Sequence, residues 1–273
     1  MESMSEVAVA VERHTKGALV TALSKLSDPL QISGEIERVI IKPSIYNPDY
    51  PGNTDIELVE GLVKMFQSTA PVYVVESDNP VRTTEEAFAK CGYNRLLDHG
   101  AELVNLSHQP LHTVKMNGHY FREHNMPKIL DGNILLVNAA TIKRESDARV
   151  MGASIKNLFG LLPEVDKSVY HDNIHSVLID LLIAYRPKIT ILDLTQMVSG
   201  LRKEKLTTRT NGVVVGYDPV AIDSFGARLI DIEPLDVPHL VTAHTLGLGE
   251  IMSEKIRVLG TEYQKQLIEI IQN

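Results

Sequence analysis

The stretch that decides the fold is RVIIKPSIYNPDYPGNTDIELVEGLVKMFQSTAPVYVVES, residues 38–77. It holds two short β-branched runs, one at each end, and the apolar residues between them recur at helical spacing. Asn53 or Thr54 stands where the capping residue of this helix is expected. A strand, a helix and a second strand in this order predict a βαβ unit with parallel strands. The apolar face of the helix comprises Ile56, Val59, Leu62, Val63 and Phe66.

The same alternation continues along the chain. Continuous apolar strands separated by helices are typical of a sheet that is covered on both faces. We therefore predict an α/β fold with a mainly parallel layered sheet and helices on both faces. The further strand patterns lie at residues 101–107, 133–140, 189–195 and 211–218, and the further helical patterns at residues 84–91, 151–162, 174–185 and 219–230.

One segment departs from this alternation. Residues 111–122, LHTVKMNGHYFR, alternate around Asn117 and Gly118, which predicts a small β-hairpin appendage with a primed turn at that dipeptide. We divide the chain into an N-terminal segment, residues 1–34, packed on the main domain, and a single α/β domain, residues 35–273. Two polar stretches, residues 44–53 and 199–212, are predicted to be loops over a site.

Composition excludes several classes of function. The chain has 273 residues and a formal charge of -8, without a basic stripe, so nucleic acid is not an expected partner. Cys91 is the single cysteine, which excludes an internal disulfide or a site built from several thiolates and favours a cytoplasmic location. Because no segment has eighteen uninterrupted apolar residues, no membrane association is expected. The sequence does not identify a cofactor.

Polar residues close several of the predicted strands. In an open α/β sheet, ligands collect beyond the carboxyl ends of the strands, so these residues have more functional weight than others. Lysines at that edge would attract a small carboxylate or phosphate, and the alternative is that each is a solvated surface side chain. The residues are Lys42, Glu76, Lys143, Asp193 and Asp218.

The helical pattern at residues 151–162 places Lys156 between two glycines. Gly152 and Gly160 stand one turn on either side of it, and glycine inside a helix costs roughly 1 kcal/mol relative to alanine. A close approach to the backbone is therefore expected, by a ligand or by another element of the protein. The adjacent Asn157 is interpreted as a surface residue or as a cap for a neighbouring loop.

The segment YDPVAIDSFGARLI begins a helix. Asp218 is the predicted N-cap and Pro219 the first helical residue. Asp223 lies among apolar neighbours, where a carboxylate needs a cation or a hydrogen-bond donor. Either a site role beside one of the lysines or a structural hydrogen bond would satisfy it.

His171 and His175 have the i, i+4 spacing of a possible metal pair. The spacing lacks the glutamate of the H-E-x-x-H motif, and Asp172 and Asn173 look like a helix start that would leave His171 outside the helix, so we predict no metal site. His171 alone is the candidate general acid and base, because an imidazole titrates near neutral pH.

Taken together, these motifs resemble the family known as domain of unknown function 362 (DUF362). The matching pieces are IKPSI, NTDIELVEGLVKMF, VYVVES, GASIKNLFGLLP followed by YH, ILDL and YDPVAID, in family order over roughly residues 39–260. The resemblance implies an α/β domain, which in many members is joined to a ferredoxin-like iron–sulfur module. It implies no activity. The family's polar positions correspond to Lys42, Asn53, Glu76, Lys143, Lys156, Asn157, His171, Asp193, Asp218 and Asp223.

The chain departs from the family pattern at two places. Where relatives have a segment similar to PKLKTH, this chain has AATIKRES at residues 139–146, which keeps Lys143 but not the following histidine, and Ser44 stands where asparagine is common. Both changes bear on whether a reaction is shared. The single cysteine indicates a form without the iron–sulfur module.

Two functional hypotheses follow. The first is an enzyme or binding protein that holds a small anionic metabolite at the carboxyl edge of the sheet, with His171 exchanging protons and Asp193 or Asp223 setting the charge of its neighbours. The second is a non-catalytic electron-transfer or assembly partner of a separate iron–sulfur protein, for which the lysines form a steering patch. A homodimer is also possible, because the last helix has an apolar edge. In the first hypothesis the ligand is bound by Lys42, Lys143 and Lys156.

Overall fold

The structure, a computed structural model, describes residues 4–32, 34–143, 151–198 and 207–272. It forms the predicted α/β fold with a mainly parallel sheet. Its strands are β1 (Ser5–Val11), β2 (Arg38–Pro43), β3 (Val72–Glu76), β4 (Ala101–Asn105), β5 (Leu111–Lys115), β6 (Glu123–Pro127), β7 (Ile134–Lys143), β8 (Ile189–Val198), β9 (Thr207–Arg209), β10 (Gly212–Gly216) and β11 (Ile256–Leu259). The order in the main sheet is β11-β1-β10-β8-β7-β2-β3-β4, with β9 paired to β8.

Helices cover both faces of the sheet. Successive residues of a strand point to opposite faces, so Val7 and Val9 of β1 enter one apolar core, and Ala8 and Ala10 enter the other. The helices are α1 (Thr15–Lys25), α2 (Ile56–Phe66), α3 (Thr84–Lys90), α4 (Ser154–Asn157), α5 (Ile174–Ala184), α6 (Pro219–Leu229), α7 (Pro238–Thr245) and α8 (Thr261–Gln272). The first three pack on one face and α4 to α7 on the other.

The direction of the strands determines which residues can meet. Strands β2, β3, β4, β7 and β8 are parallel, so their carboxyl ends share one edge of the sheet. The chain runs from β2 outward to β3 and β4 and then returns to β7, so the order of strands reverses between β2 and β7. Such a reversal is where open α/β sheets bind ligands.

Strand β10 is antiparallel to β8, which corrects one expectation. Asp218 follows β10 and therefore lies at the edge opposite the lysines rather than beside them. Its predicted capping role is confirmed, because its carboxylate accepts hydrogen bonds from the amides of Val220 and Ala221 at the start of α6.

The helix predicted over residues 151–162 is shorter than expected. Gly152 is not helical but pairs with Lys143 in an antiparallel bridge, and α4 begins only at Ser154. The cause is Asp223, whose carboxylate accepts the amide protons of Ser154 and Ile155 at 2.8 and 2.9 Å and so sets the start of the helix. After α4 the chain continues as a 3₁₀ turn, Leu158–Leu161.

The hairpin is present, but its predicted turn is wrong. Strands β5 and β6 pair antiparallel and are joined by a seven-residue loop, residues 116–122, rather than by a two-residue turn at Asn117 and Gly118. Asp180 of α5 explains the longer loop, because its carboxylate accepts the amide protons of His119, Tyr120 and Phe121. A contact 59 to 61 residues away thus overrides the local turn preference.

The cap of α2 is Asp55, not Asn53 or Thr54. The Thr54 hydroxyl is already engaged, since it donates to the Ala139 carbonyl and accepts from the Ser44 amide. The Asn53 side chain in turn bonds to the loop that precedes it.

Both ends of the described chain join the fold. Residues before position 35 contribute β1 to the sheet and α1 to one face, while the domain division at that position stays a prediction. At the other end Leu267 of α8 is buried in the core of its own domain.

The part of the predicted loop at residues 199–206 lies outside the described residues. No helix among those described is long and apolar enough to cross a membrane.

Candidate functional site

A cavity of about 310 Å³ opens at the carboxyl ends of β2, β3 and β7, beside the reversal in strand order. Its walls come from the strand ends, the loops that follow β2 and β3, α4 with its 3₁₀ turn, and residues 165–171. Six of the ten predicted site residues line it. They are Lys42, Glu76, Lys143, Lys156, Asn157 and His171.

The floor of the cavity is a buried ion pair. Lys42 ends β2 and Glu76 ends β3, and their Nζ and Oε2 atoms are 2.8 Å apart. Burial lowers the pKa of Lys42, and the charge and hydrogen bond of Glu76 oppose that shift. Because β2 and β3 are neighbouring parallel strands, the sheet itself brings the two side chains together.

Gly160 makes room for this pair. A Cβ atom at that position would lie 2.7 Å from Cε and 2.8 Å from Nζ of Lys42, closer than real Cβ contacts. The close approach expected near the glycines is therefore made at Gly160 by another element of the protein.

Arg82 holds the wall next to the ion pair. Its guanidinium donates to the carbonyls of Ile45, Tyr46 and Ser77, and so ties the loop after β2 to the loop after β3. The side chain is buried although it carries a full charge, and its nearest carboxylate oxygen, on Glu76, is 4.0 Å away.

Lys143 and Lys156 reach the cavity from other elements. Lys143 ends β7, is buried, and donates from Nζ to the Ser44 hydroxyl at 2.7 Å. Lys156 lies on α4, is half-buried, and its Nζ is 5.7 Å from the centre of the Phe159 ring. Lys42, Lys143 and Lys156 thus line one cavity, although Lys42 and Lys156 are more than a hundred residues apart in the sequence.

A fourth lysine, Lys167, was missed as a site residue. Its Nζ donates to the carbonyls of Asp78, at 3.0 Å, and Glu164. Burial lowers its pKa to about 8, and the charges of Glu76 and Glu164 oppose the shift. Lys167 lies in an irregular segment far from any strand end, so no sequence pattern indicates a site role for it. Arg82 follows the end of β3 by only six residues, and this position is a signal for a site residue in the sequence.

Cations outnumber carboxylates in the lining, in a protein whose formal charge is -8. All three carboxylates are engaged with protein donors: Glu76 with Lys42, Asp78 with the Thr84 amide and the Asn105 amide group, and Asp166 with the Ser168 amide. A partly desolvated excess of positive charge favours an anionic ligand. The cations are Lys42, Arg82, Lys143, Lys156 and Lys167, and the carboxylates are Glu76, Asp78 and Asp166.

His171 lies at the exposed side of the cavity. Its Nδ1 is 3.3 Å from the Ser168 carbonyl, and its ring packs edge-on against Phe159. A carbonyl can only accept, so in this contact Nδ1 donates and Nε2 of the neutral ring has the lone pair. In this arrangement Nε2 is the ring nitrogen that can accept a hydrogen bond.

Asn157 joins the strands beneath the cavity. Its amide group donates to the Lys42 carbonyl and to the Asn138 side chain, which in turn donates to the Ser154 carbonyl. This chain of hydrogen bonds fixes α4 against the ends of β2 and β7. Asn157 is thus neither a surface residue nor a loop cap.

The other four predicted site residues do not line the cavity. Asn53 braces the loop after β2, and Asp218 lies at the opposite edge of the sheet. Asp223 meets backbone amides of α4 rather than a lysine, and Asp193 accepts the amide protons of Asp55 and Thr195 at 2.6 and 2.8 Å. Both aspartates therefore position helices that border the site.

The side-chain carboxyl groups of Asp193 and Asp223 are both buried. Burial raises the pKa of each to about 6, and the hydrogen bonds from the backbone amides act against the shift. They contribute to the cavity indirectly, through the placement of α2 and α4.

Comparisons with protein families and with solved structures each give a match. The profile of the family described as Domain of unknown function (DUF362) matches residues 39–228, which include every wall of the cavity. No curated protein has a significant sequence match. A crystal structure of a Thermotoga maritima protein, determined by the Northeast Structural Genomics Consortium, is 12% identical over 67% of this chain, with a TM-score of 0.33. The aligned region spans 50% of that protein's length.

Proposed function

The chain belongs to the DUF362 family, and we propose that it binds, and with His171 transforms, a small anionic metabolite in the cavity at the carboxyl edge of the sheet. The ligand is a carboxylate or phosphate. One observation carries the proposal: Lys42, Lys143 and Lys156 come from three separate elements and line the same cavity.

The size and position of the cavity support a metabolite. A volume of about 310 Å³ is at the lower end of the range of roughly 300–1,000 Å³ found for ligand sites. A cation in a partly dry cavity interacts with an anion more strongly than it would in bulk water, because the local dielectric is lower.

The burial of the lysines favours a cavity over a steering patch. The rival hypothesis, docking of a separate iron–sulfur protein, needs cations on an exposed surface, because long-range steering acts through solvent. Lys42, Lys143 and Lys167 are instead almost completely buried.

In this proposal His171 exchanges the proton. An imidazole can both accept and donate a proton, and Nε2 has the lone pair when Nδ1 donates to Ser168. Asp193 and Asp223 act as positioning residues that hold α2 and α4 in place.

A thermal-shift panel of small carboxylates and phosphates tests the proposal. A ligand present at 100 times its Kd stabilises the folded state by about 2.7 kcal/mol, which corresponds to a rise in Tm of about 5–10 °C. Lys156→Ala should abolish the rise, since it removes a half-buried cation without opening the core.

Lys188→Ala is the matched control. Lys188 is exposed and immediately precedes β8, at the edge of the sheet opposite the cavity, so the response to the ligand should be retained. An equal response in wild type and Lys156→Ala, or no response to any anion of the panel, would reject the site. Association with an iron–sulfur protein that weakens steeply with salt would instead support the rival.

A further inference from the structure

The mouth of the cavity differs in chemistry from its interior. Lys42 is 1% exposed, Lys143 3% and Lys167 9%, so these cations lie deep. Two apolar side chains of the lining are open to solvent, Tyr46 at 45% and Val165 at 47%. Most of the positive charge is therefore internal, and these two apolar side chains lie at the entrance together with the exposed polar residues Asp166, Ser168 and His171.

Two further exposed apolar residues, Val81 and Val169, neighbour lining residues in the sequence but do not themselves line the cavity. Single exposed apolar residues are common on protein surfaces, whereas apolar side chains in the lining of a polar cavity offer a contact for the apolar part of a ligand. We call Tyr46 and Val165 the apolar rim.

The volume of the cavity exceeds what an anionic group alone needs. At about 30 Å³ for each water molecule in the liquid, 310 Å³ corresponds to about ten waters. A carboxylate or phosphate group occupies the volume of only a few of them. The remaining space is continuous with the lining residues of the rim, Tyr46 and Val165.

We propose that the ligand is an amphipathic anion, a carboxylate or phosphate whose attached alkyl or aryl group lies against the apolar rim. The buried cations select the charged end, and contact with the rim removes apolar surface of both ligand and protein from water. The inference rests on the proposed function and specifies its class of ligand.

Isothermal titration calorimetry of the full chain with two homologous series of anions tests this inference. One series runs from acetate to octanoate and the other from methyl to hexyl phosphate, so the series that binds identifies the anionic group. Complete burial of a methylene group corresponds to about a fourfold gain in affinity, and burial against a half-exposed rim to about twofold. We therefore expect the Kd to fall by about two- to fourfold for each added methylene.

The informative variant is Val165→Ser, which should reduce the gain in affinity per methylene. The matched control is Val20→Ser, the same change at an exposed valine of α1 that is outside the cavity lining. It should leave that gain unchanged. Uncharged hexanol should not bind, because it lacks the group that the cations select.

The outcomes separate the two proposals. Binding of short anions with no dependence on chain length, or a dependence equal in Val165→Ser and wild type, would overturn the amphipathic ligand and leave the anion site standing. Absence of binding in both series would overturn both. A chain-length gain that Val165→Ser diminishes and Val20→Ser keeps would support the inference.

Discussion

Replacing Glu76 by glutamine is expected to destabilise the protein by about 3–5 kcal/mol, the cost of leaving a buried charge without its partner. Glu76 is the carboxylate 2.8 Å from the Lys42 ammonium, and both side chains are buried. Glutamine keeps the shape but removes the negative charge and puts an NH2 donor in place of one carboxylate oxygen, so it cannot accept both from Lys42 and Ile45, which share one oxygen, and from Ser77, which uses the other. Since domains of this kind are stable by about 5–15 kcal/mol in total, the loss is large.

The pH dependence of this loss of stability follows from the pKa of Lys42. Its pKa in the folded state is already below 10.5 because of burial, and Glu76→Gln removes the partner that opposes the shift. The unfolded state then binds more protons than the folded state over a wider range below pH 10.5, so the stability of the variant should rise with pH across that range. The stability of the wild-type protein should also rise with pH, but over a narrower pH range.

Guanidinium unfolding followed by far-ultraviolet circular dichroism, at a series of pH values, measures both effects. Glu262→Gln is the control, because Glu262 is paired with Lys25 at a similar distance, 2.9 Å, but on the exposed surface, where little change is expected. Adding Lys42→Met to Glu76→Gln should recover part of the loss. A loss below about 1 kcal/mol that does not vary with pH would refute the buried ion pair.

Two further predictions concern the supports of the site. Gly160→Ala should lower the free energy of unfolding by about 1–3 kcal/mol in chemical denaturation, because the new Cβ would overlap Lys42. The control is Gly17→Ala in α1, whose new Cβ meets nothing closer than 3.6 Å and should cause no loss of stability. Equal effects of the two substitutions would contradict the close approach at Gly160. Asp193 has a pKa of about 6 in the folded state and 3.8 in the unfolded state. Between these two pH values the folded state binds more protons than the unfolded state, so about 3 kcal/mol of stability is lost as the pH rises from the lower to the higher value. Asp223 has a raised pKa in the same range, so Asp193→Asn should reduce the decline in unfolding titrations without removing it, and an unaltered pH profile would show that Asp193 does not titrate there.

Much of the sheet follows from the sequence because strand and helix patterns are local. The runs that became β2, β3, β7 and β8 are largely apolar on both faces, and the helical spacings between the strands match α2, α3, α5 and α6 to within one or two residues. Parallel neighbours then place Lys42 and Glu76 side by side, and this part of the cavity could be predicted before any coordinates.

Contacts between distant residues decided the rest. An apolar strand has the same pattern in either direction, so only the tertiary pairing of β10 with β8 shows that Asp218 lies at the far edge. The start of α4 depends on Asp223, 68 to 69 residues away, and the hairpin loop depends on Asp180. Lys167 is brought to the cavity by carbonyls that no local pattern predicts. The sequence alone thus determined which segments become strands and helices, since periodicity is a short-range property. Strand direction, helix start and the full set of cations were decided only in the tertiary structure, where buried carboxylates and carbonyls must find donors from other parts of the chain.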